Sequence, residues 1–361
     1  MSSKTNKSLP SAIKILDTYK MIVWSEIEKY LHDPSFPPVF KIPRKYRKEA
    51  QFHWKVTKEY PKRKGKYLRP TLLMLTCEAM GGKPRDALKT AAAIQVSEDW
   101  LLIHDDFEDN SWQRRGKPTL HRMYGPGHAI NAGDTLHIIM WKILIDNEIL
   151  LGARKSNILT NEFYRILVRT TLGQSAEIKW TIERKNKLSD KDWFFIADGK
   201  TSYYTIAGPM MLGAIIADTN TVQLDLLAKF GSYLGRSFQL VDDVLDLTSD
   251  FSGLKMQSGN DIYEGKRTVI LGHLLRSASP KDKKKLLSIL KKPREEKTKD
   301  EVGWVIEKMH HYGSIKYARV LAKRMGKKAF EIFNNELKFL SHQPARKHLE
   351  HLFKLILERD Y

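Results

Sequence analysis

A single cysteine, Cys77, stands in a chain of 361 residues, which excludes any intramolecular disulfide and fits a reducing compartment. It lies in the apolar stretch TLLMLTCEAM and reads as core packing. Long hydrophobic runs are also missing. The longest, IAGPMMLGAIIA at 206 to 217, falls well short of the roughly 20 residues that a membrane-spanning helix needs. The opening MSSKTNKSLPSAIKIL has no apolar core followed by a small-residue cleavage site, so no secretory signal is expected and the cytoplasm is the expected location. Acids are the scarce charge: 42 Asp and Glu against 62 Lys and Arg leave a formal +20, which points to anionic partners and leaves peripheral contact with an acidic membrane face open. The basic residues are scattered and no nucleic-acid motif accompanies them, so nucleic acid is not expected as a partner.

Alternating strand patterns are absent as well; what is present is helical periodicity. In SAIKILDTYKMIVWSEIEKYL, Ile13, Leu16, Ile27 and Leu31 recur at close to helical spacing. Pro34, Pro37, Pro38 and Pro43 end that helix. Further helices are expected at about 47 to 59, 68 to 80, 85 to 108, 128 to 150, 158 to 184, 190 to 216 and 221 to 248, with shorter ones to the end. Ser189, followed by Asp190 and Asp192, reads as an N-cap, and Gly208-Pro209 as a kink. Several of these helices are apolar on more than one stripe, as a central helix must be. The expected fold is all-α, one large helical bundle over 1–361: residues 1–45 form an N-terminal helix and proline-rich link, and 46–361 the core. KKPREEKTKDE at 291 to 301 reads as a solvated loop or frayed helix.

Against this background LLIHDDFEDNSWQRRG stands out, with Asp105, Asp106 and Asp109 in a DDxxD pattern. At about 100° per residue, Asp105 and Asp109 differ by about 40° and one turn, so both project from one helix face. FQLVDDVLD repeats the pattern as Asp242, Asp243 and Asp246. Both clusters sit toward the C-terminal ends of apolar helices, where the macrodipole further disfavours a carboxylate. Each therefore costs stability unless a cation compensates. All-oxygen donors select hard divalent ions, and Mg2+ prefers one or two carboxylates with phosphate oxygens and water completing its shell. A diphosphate bridged to both clusters by Mg2+ is the implied ligand. Lys66 and Arg69 at a loop-to-helix junction, Arg114 and Arg115, Lys200, and Lys266 with Arg267 offer the basic half of such a site.

In order along the chain, GKYLRP, LLIHDDFEDNSWQRRGKPTLH, NAGD, LGQSAE, DGKTS, FQLVDDVLD and GNDIYEGKRT, with a weaker match at GSIKYA, resemble the trans-isoprenyl diphosphate synthases, the farnesyl and geranylgeranyl diphosphate synthases. The resemblance implies an all-helical homodimer with a central active-site cavity, and condensation of isopentenyl diphosphate with an allylic diphosphate. By the same resemblance, Asp105 and Asp109 bind metal from one wall and Asp242 from the other, with Asp106, Asp243 and Asp246 in support and about three Mg2+ per site. Arg114, Lys200, Gln239 and Lys266 match positions that contact the allylic diphosphate. Lys66, Arg69 and Arg115 match positions that hold isopentenyl diphosphate. Gly65, Thr201 and Phe238 fall in the same matching stretches and are counted with the substrate-binding residues.

Two departures stand out. Glu98 takes the place of a histidine usual in the family seven residues before the first motif, so it either pairs with a neighbouring Lys or Arg or weakens the hold on isopentenyl diphosphate. Met256 takes the place of a lysine, with Lys255 adjacent. His104 reads as a packing or supporting residue. The resemblance also assigns chain length to the fourth and fifth positions before Asp105. Leu101 and Trp100 stand there, and an indole floor favours a C15 to C20 product, geranylgeranyl diphosphate first. Two alternatives stand beside this reading: a catalytically weak partner subunit of a heteromeric synthase, encouraged by Glu98 and Met256, and a class I terpene cyclase.

Overall fold

The computed structural model describes residues 8–248 and 259–357. Among them the only sheet is a two-residue antiparallel pair, β1 (Gln113–Arg114) with β2 (Lys117–Pro118). Everything else regular is helical. The first half comprises α1 (Ser8–Glu28), α2 (Arg47–Thr57), α3 (Glu59–Arg63), α4 (Leu68–Ala79), α5 (Pro84–Glu108), α6 (Leu120–Tyr124), α7 (Pro126–Ile145) and α8 (Glu148–Ile182). The second comprises α9 (Asp190–Ala197), α10 (Gly208–Ile216), α11 (Thr221–Thr248), α12 (Asn260–Glu264), α13 (Val269–Ser277), α14 (Pro280–Leu290), α15 (Lys299–His311), α16 (Ser314–Asn335) and α17 (Ala345–Leu357).

α5 is central because its sequence lets it be. Pro84 opens it at a position where no N–H is missed, and the buried run Ala87, Ala91, Ala92 and Ala93 keeps it thin. α1, α4 and α7 all pack on it. One core cluster gathers around α5, α7 and α8, and a second joins the later part of α11 to α13–α16. The third joins α4, α10 and the start of α11 to α16 and α17 through the Phe230, Phe333 and Phe353 rings. The two acidic motifs thus sit on α5 and α11, each packed on several neighbouring helices.

Several sequence expectations shift. The expected inner face of the first segment holds at Leu16, Ile27 and Leu31, joined by Ala12 and Val23, while Ile13 faces outward. The helix expected to reach 150 stops at Ile145, and Gly152 (φ 75°, ψ 161°) breaks the next one, which begins at Glu148. Between α9 and α10 the chain does not run as one α-helix: Asp198–Ala207 is a π-helix, ending where Gly208-Pro209 was expected to kink the chain. The Ser189 cap forms a full capping box with Asp192. Cys77 is buried, and burial pushes its thiol up to about 12. Met256 and Lys255 lie outside the described residues.

Candidate active site

The last turn of α5 carries the first cluster. Asp105 Oδ1 accepts from Lys200 Nζ at 3.0 Å and from Gln174 Nε2 at 3.1 Å. Burial would raise its pKa, but Lys200, then Lys266 and Arg114, outweigh that and hold it well below the carboxylate range. Asp109 caps the helix and meets Lys266 Nζ at 3.2 Å. Burial and the neighbouring Asp105 raise Asp109 to about 6 against the pull of Lys266. Asp106 faces the other way. It is fully buried, accepts from Arg114 Nε at 3.0 and 3.1 Å, and takes the Tyr60 hydroxyl at 2.6 Å. Both of its oxygens are engaged by Arg114 and Tyr60.

A strained loop follows. Asn110 and Arg115 take positive φ values, as do Lys64 and Tyr67 in the KRKGKYLRP loop packed beside it. The β1–β2 turn folds Arg115 back onto α5, where Nη2 is 3.3 Å from Glu98 and Nη1 is 3.0 Å from Asp99. Gly65 makes this possible, since a Cβ there would lie 2.6 Å from Arg115 Nη2. Arg69 Nη1 meets Glu98 from the opposite side at 3.1 Å, lies over the Tyr204 ring and donates to Thr205. Burial works against a charged Glu98, yet Arg69 and Arg115 keep its pKa below the usual value. Of the two expectations for Glu98, pairing with a basic neighbour is realised, and with both Arg69 and Arg115. Lys66 lies exposed on the same loop.

Lys200 reaches the first cluster because two helices come unusually close. A Cβ at Gly173 would lie 3.0 Å from the Lys200 backbone nitrogen, and one at Gly199 only 2.6 Å from the Arg169 carbonyl oxygen. This contact sets the π-helix against α8, and Lys200 Nζ then bridges Asp105 and Glu177, the latter at 2.7 Å. Both carboxylates keep Lys200 firmly protonated despite its burial. Thr201 Oγ1 donates to Gln239 Oε1 at 2.6 Å, and Gln239 Nε2 to Asp243 Oδ1 at 2.9 Å, which ties the π-helix to the second cluster. Phe238 packs partly buried against the third core.

On α11, Asp242 is half-buried and Asp243 and Asp246 are buried. Asp246 accepts from the Asp261 backbone N–H at 2.9 Å and so anchors the start of α12. Asp243 is pushed up to about 7 by burial, with repulsion from Asp242 and Glu177 added, and its Oδ2 is buried without a hydrogen bond. Lys266 lines the cleft beside Asp243, Asp261 and Thr268 while holding Asp109 and Glu264. One ammonium therefore acts on both acidic motifs. The donors are all oxygen, they outnumber the cations, and one is orphaned, which fits a hard divalent ion. Among the described residues no three metal-ligating side chains converge.

Sequence reasoning missed Gln174, Glu177, Tyr60 and Glu264. Gln174 and Glu177 stand in the quoted LGQSAE stretch without an assigned role, and Tyr60 carried no signal. The KKPREEKTKDE patch is also more than a solvated loop. Arg294 pairs with Glu264 at 3.0 Å, Asn110 Nδ2 donates to Glu295 Oε1 at 2.8 Å, and buried Lys297 donates to the Tyr263 carbonyl at 2.7 Å. Charge complementarity to α12 draws it in, which a composition-based reading cannot detect. Arg267 is buried with Nη1 on the Gly265 carbonyl. Trp100 is buried and stacks on His137 at 4.2 Å, while Leu101 is half-buried beside it. His104 packs over Gly133.

Residues 51–309 match the polyprenyl synthetase family model. The chain is 32% identical over 304 residues to the short chain isoprenyl diphosphate synthase of Methanothermobacter thermautotrophicus, covering 82% of this chain and 87% of that one. The crystal structure of geranylgeranyl pyrophosphate synthetase from Pyrococcus horikoshii superposes with a TM-score of 0.81 at 30% identity, over 96% of this chain and 99% of that one. The geranylgeranyl pyrophosphate synthase of Corynebacterium glutamicum, complexed with isoprenyl diphosphate and magnesium, shares the fold at a TM-score of 0.83 and 23% identity, over 95% and 99% of the two chains. The chain belongs to the polyprenyl synthetase family.

Proposed function

We propose that the chain is a trans-prenyltransferase that condenses isopentenyl diphosphate with an allylic diphosphate to give a C15 to C20 prenyl diphosphate, geranylgeranyl diphosphate foremost. The observation that carries this reading is Lys266, whose ammonium holds Asp109 at 3.2 Å and lines a cleft with Asp243, so that two acidic motifs far apart in sequence serve one charge centre. The kinship to proteins named as short-chain and geranylgeranyl synthases supports the product class.

Asp105 and Asp109 from one wall and Asp242 from the other would hold Mg2+, about three ions per site in this reading, with Asp243 and Asp246 behind them. Bound divalent ions supply charge neutralisation for the departing diphosphate. The remaining work falls to the side chains. Lys200 and Lys266 present fixed ammonium groups to the same oxygens, preorganised by Glu177 and Glu264 so that little reorientation is needed as charge develops. Arg114 is aimed by Asp106 and Tyr60. The allylic cation left behind is attacked by the double bond of isopentenyl diphosphate, held by Lys66, Arg69 and Arg115, and the departed diphosphate takes the proton that the condensed cation then releases. Buried apolar walls keep water from capturing the cation.

The chain is further proposed to work as a homodimer: Ile138, Ile145, Ile149, Ile158, Val168 and Leu172 leave an exposed aliphatic face on α7 and α8. No helix among the described residues is long and apolar enough to cross a membrane, and with a single buried thiol the cytoplasm is the proposed site of action. Incubating the purified chain with Mg2+, isopentenyl diphosphate and each allylic primer should yield C15 to C20 products. No product with any primer would favour the partner-subunit reading, which gains one point from Glu98 and Asp99 already compensating Arg69 and Arg115.

A further inference from the structure

The link between α1 and α2 exposes greasy and basic side chains together over a long stretch. Every residue from 32 to 49 is exposed. Between 34 and 48 the chain places Lys41, Arg44, Lys45, Arg47 and Lys48 without a single acid. Phe36, Val39, Phe40, Ile42 and Tyr46 project among them, with Val39 88% and Phe40 72% accessible. Chance exposure of one apolar side chain is ordinary, but five in one loop is not.

The loop is also built to hold this shape. Pro37 and Pro38 enter a single 3-10 turn over Pro38–Phe40 that lifts Val39 and Phe40 to its crest, and Pro43 enters a second turn over Arg44–Tyr46. Trp54 Nε1 donates to Asp33 Oδ1 at 2.6 Å, fastening the base of the loop to α2. Prolines and a pinned base reduce the conformational entropy lost on binding. Lys45 lies over the Tyr46 ring at 4.7 Å, and Lys41, Arg44, Arg47 and Lys48 make no ion pair among the described residues.

We propose that residues 34–48 dock the protein on the surface of an anionic lipid bilayer, with Val39 and Phe40 entering the headgroup layer and the five cations meeting acidic headgroups. The charge decides between occupants. A second copy of this chain would bring five like charges to the same contact, whereas an acidic bilayer supplies both the counter-charge and an apolar layer just beneath it. Aliphatic insertion and headgroup attraction each give marginal affinity alone, and the loop combines the two. The proposal does not depend on the prenyltransferase reading, because its readout is binding.

The test is sedimentation of the full chain with vesicles of phosphatidylcholine alone and of phosphatidylcholine mixed with phosphatidylglycerol. Binding is expected to the mixed vesicles only, and to fall as salt is raised. Val39→Ser with Phe40→Ser should weaken the partition at least about tenfold, as should Lys41→Ser with Arg44→Ser. These positions are exposed, so circular dichroism and turnover of water-soluble primers should be unchanged. Equal binding to both vesicle types, no binding to either, or variants that bind like the parent would overturn the proposal. So would variants that alter the oligomeric state while leaving vesicle binding intact, since that would mark the loop as a contact between copies.

Discussion

Within DDFED, Asp106 is enclosed by Tyr60 and Arg114, whereas Asp105 faces Lys200 and Gln174. Asp106→Ala strands a guanidinium and a buried hydroxyl, and should cost about 3–5 kcal/mol of stability in denaturant unfolding. Asp105→Asn leaves Lys200 compensated by Glu177; it should unfold like the parent and lose turnover by at least about a hundredfold. At Glu98 the sign is reversed. Its charge neutralises Arg69 and Arg115, so Glu98→His or Glu98→Gln should keep or improve turnover and lower KM for isopentenyl diphosphate by up to about tenfold. A raised KM would show that Glu98 aligns the two guanidiniums for substrate rather than competing with it. Trp100, fixed by its stack on His137, should shift products to longer chains when replaced by Ala, as read by product chromatography.

At the scale of elements, the decisive feature is the close seat of the π-helix on α8. Gly199→Ala places a methyl 2.0 Å from Arg169 Nη1 and 2.6 Å from its carbonyl oxygen, so the helices must part. The expected cost is about 1–3 kcal/mol, together with a fall in kcat as Lys200 leaves Asp105. Normal kcat in a destabilised Gly199→Ala chain would separate the packing from the chemistry. The acidic motifs and most helix positions could be read in the sequence because period and charge are local properties. The π register could not, since it arises where α8, α10 and α11 crowd one segment. The same holds for Gln174 and Glu177, whose meaning depends on a partner across the bundle, and for the 291–301 loop, whose charges answer those of α12.

For the molecule as a whole, the +20 charge resolves into unlike parts: lysines locked into an acidic centre, guanidiniums offset by Glu98 and Asp99, and an unpaired basic loop at 34–48. The first of these is central, because it makes α5 and α11 one site. The most direct test is calorimetric titration of Mg2+ with and without an unreactive allylic diphosphate analogue. Mg2+ binding should depend on the diphosphate and be lost in Asp105→Asn and in Asp242→Asn alike. Tight Mg2+ binding without the analogue, or binding that survives removal of either aspartate, would contradict a diphosphate bridged between the two helices.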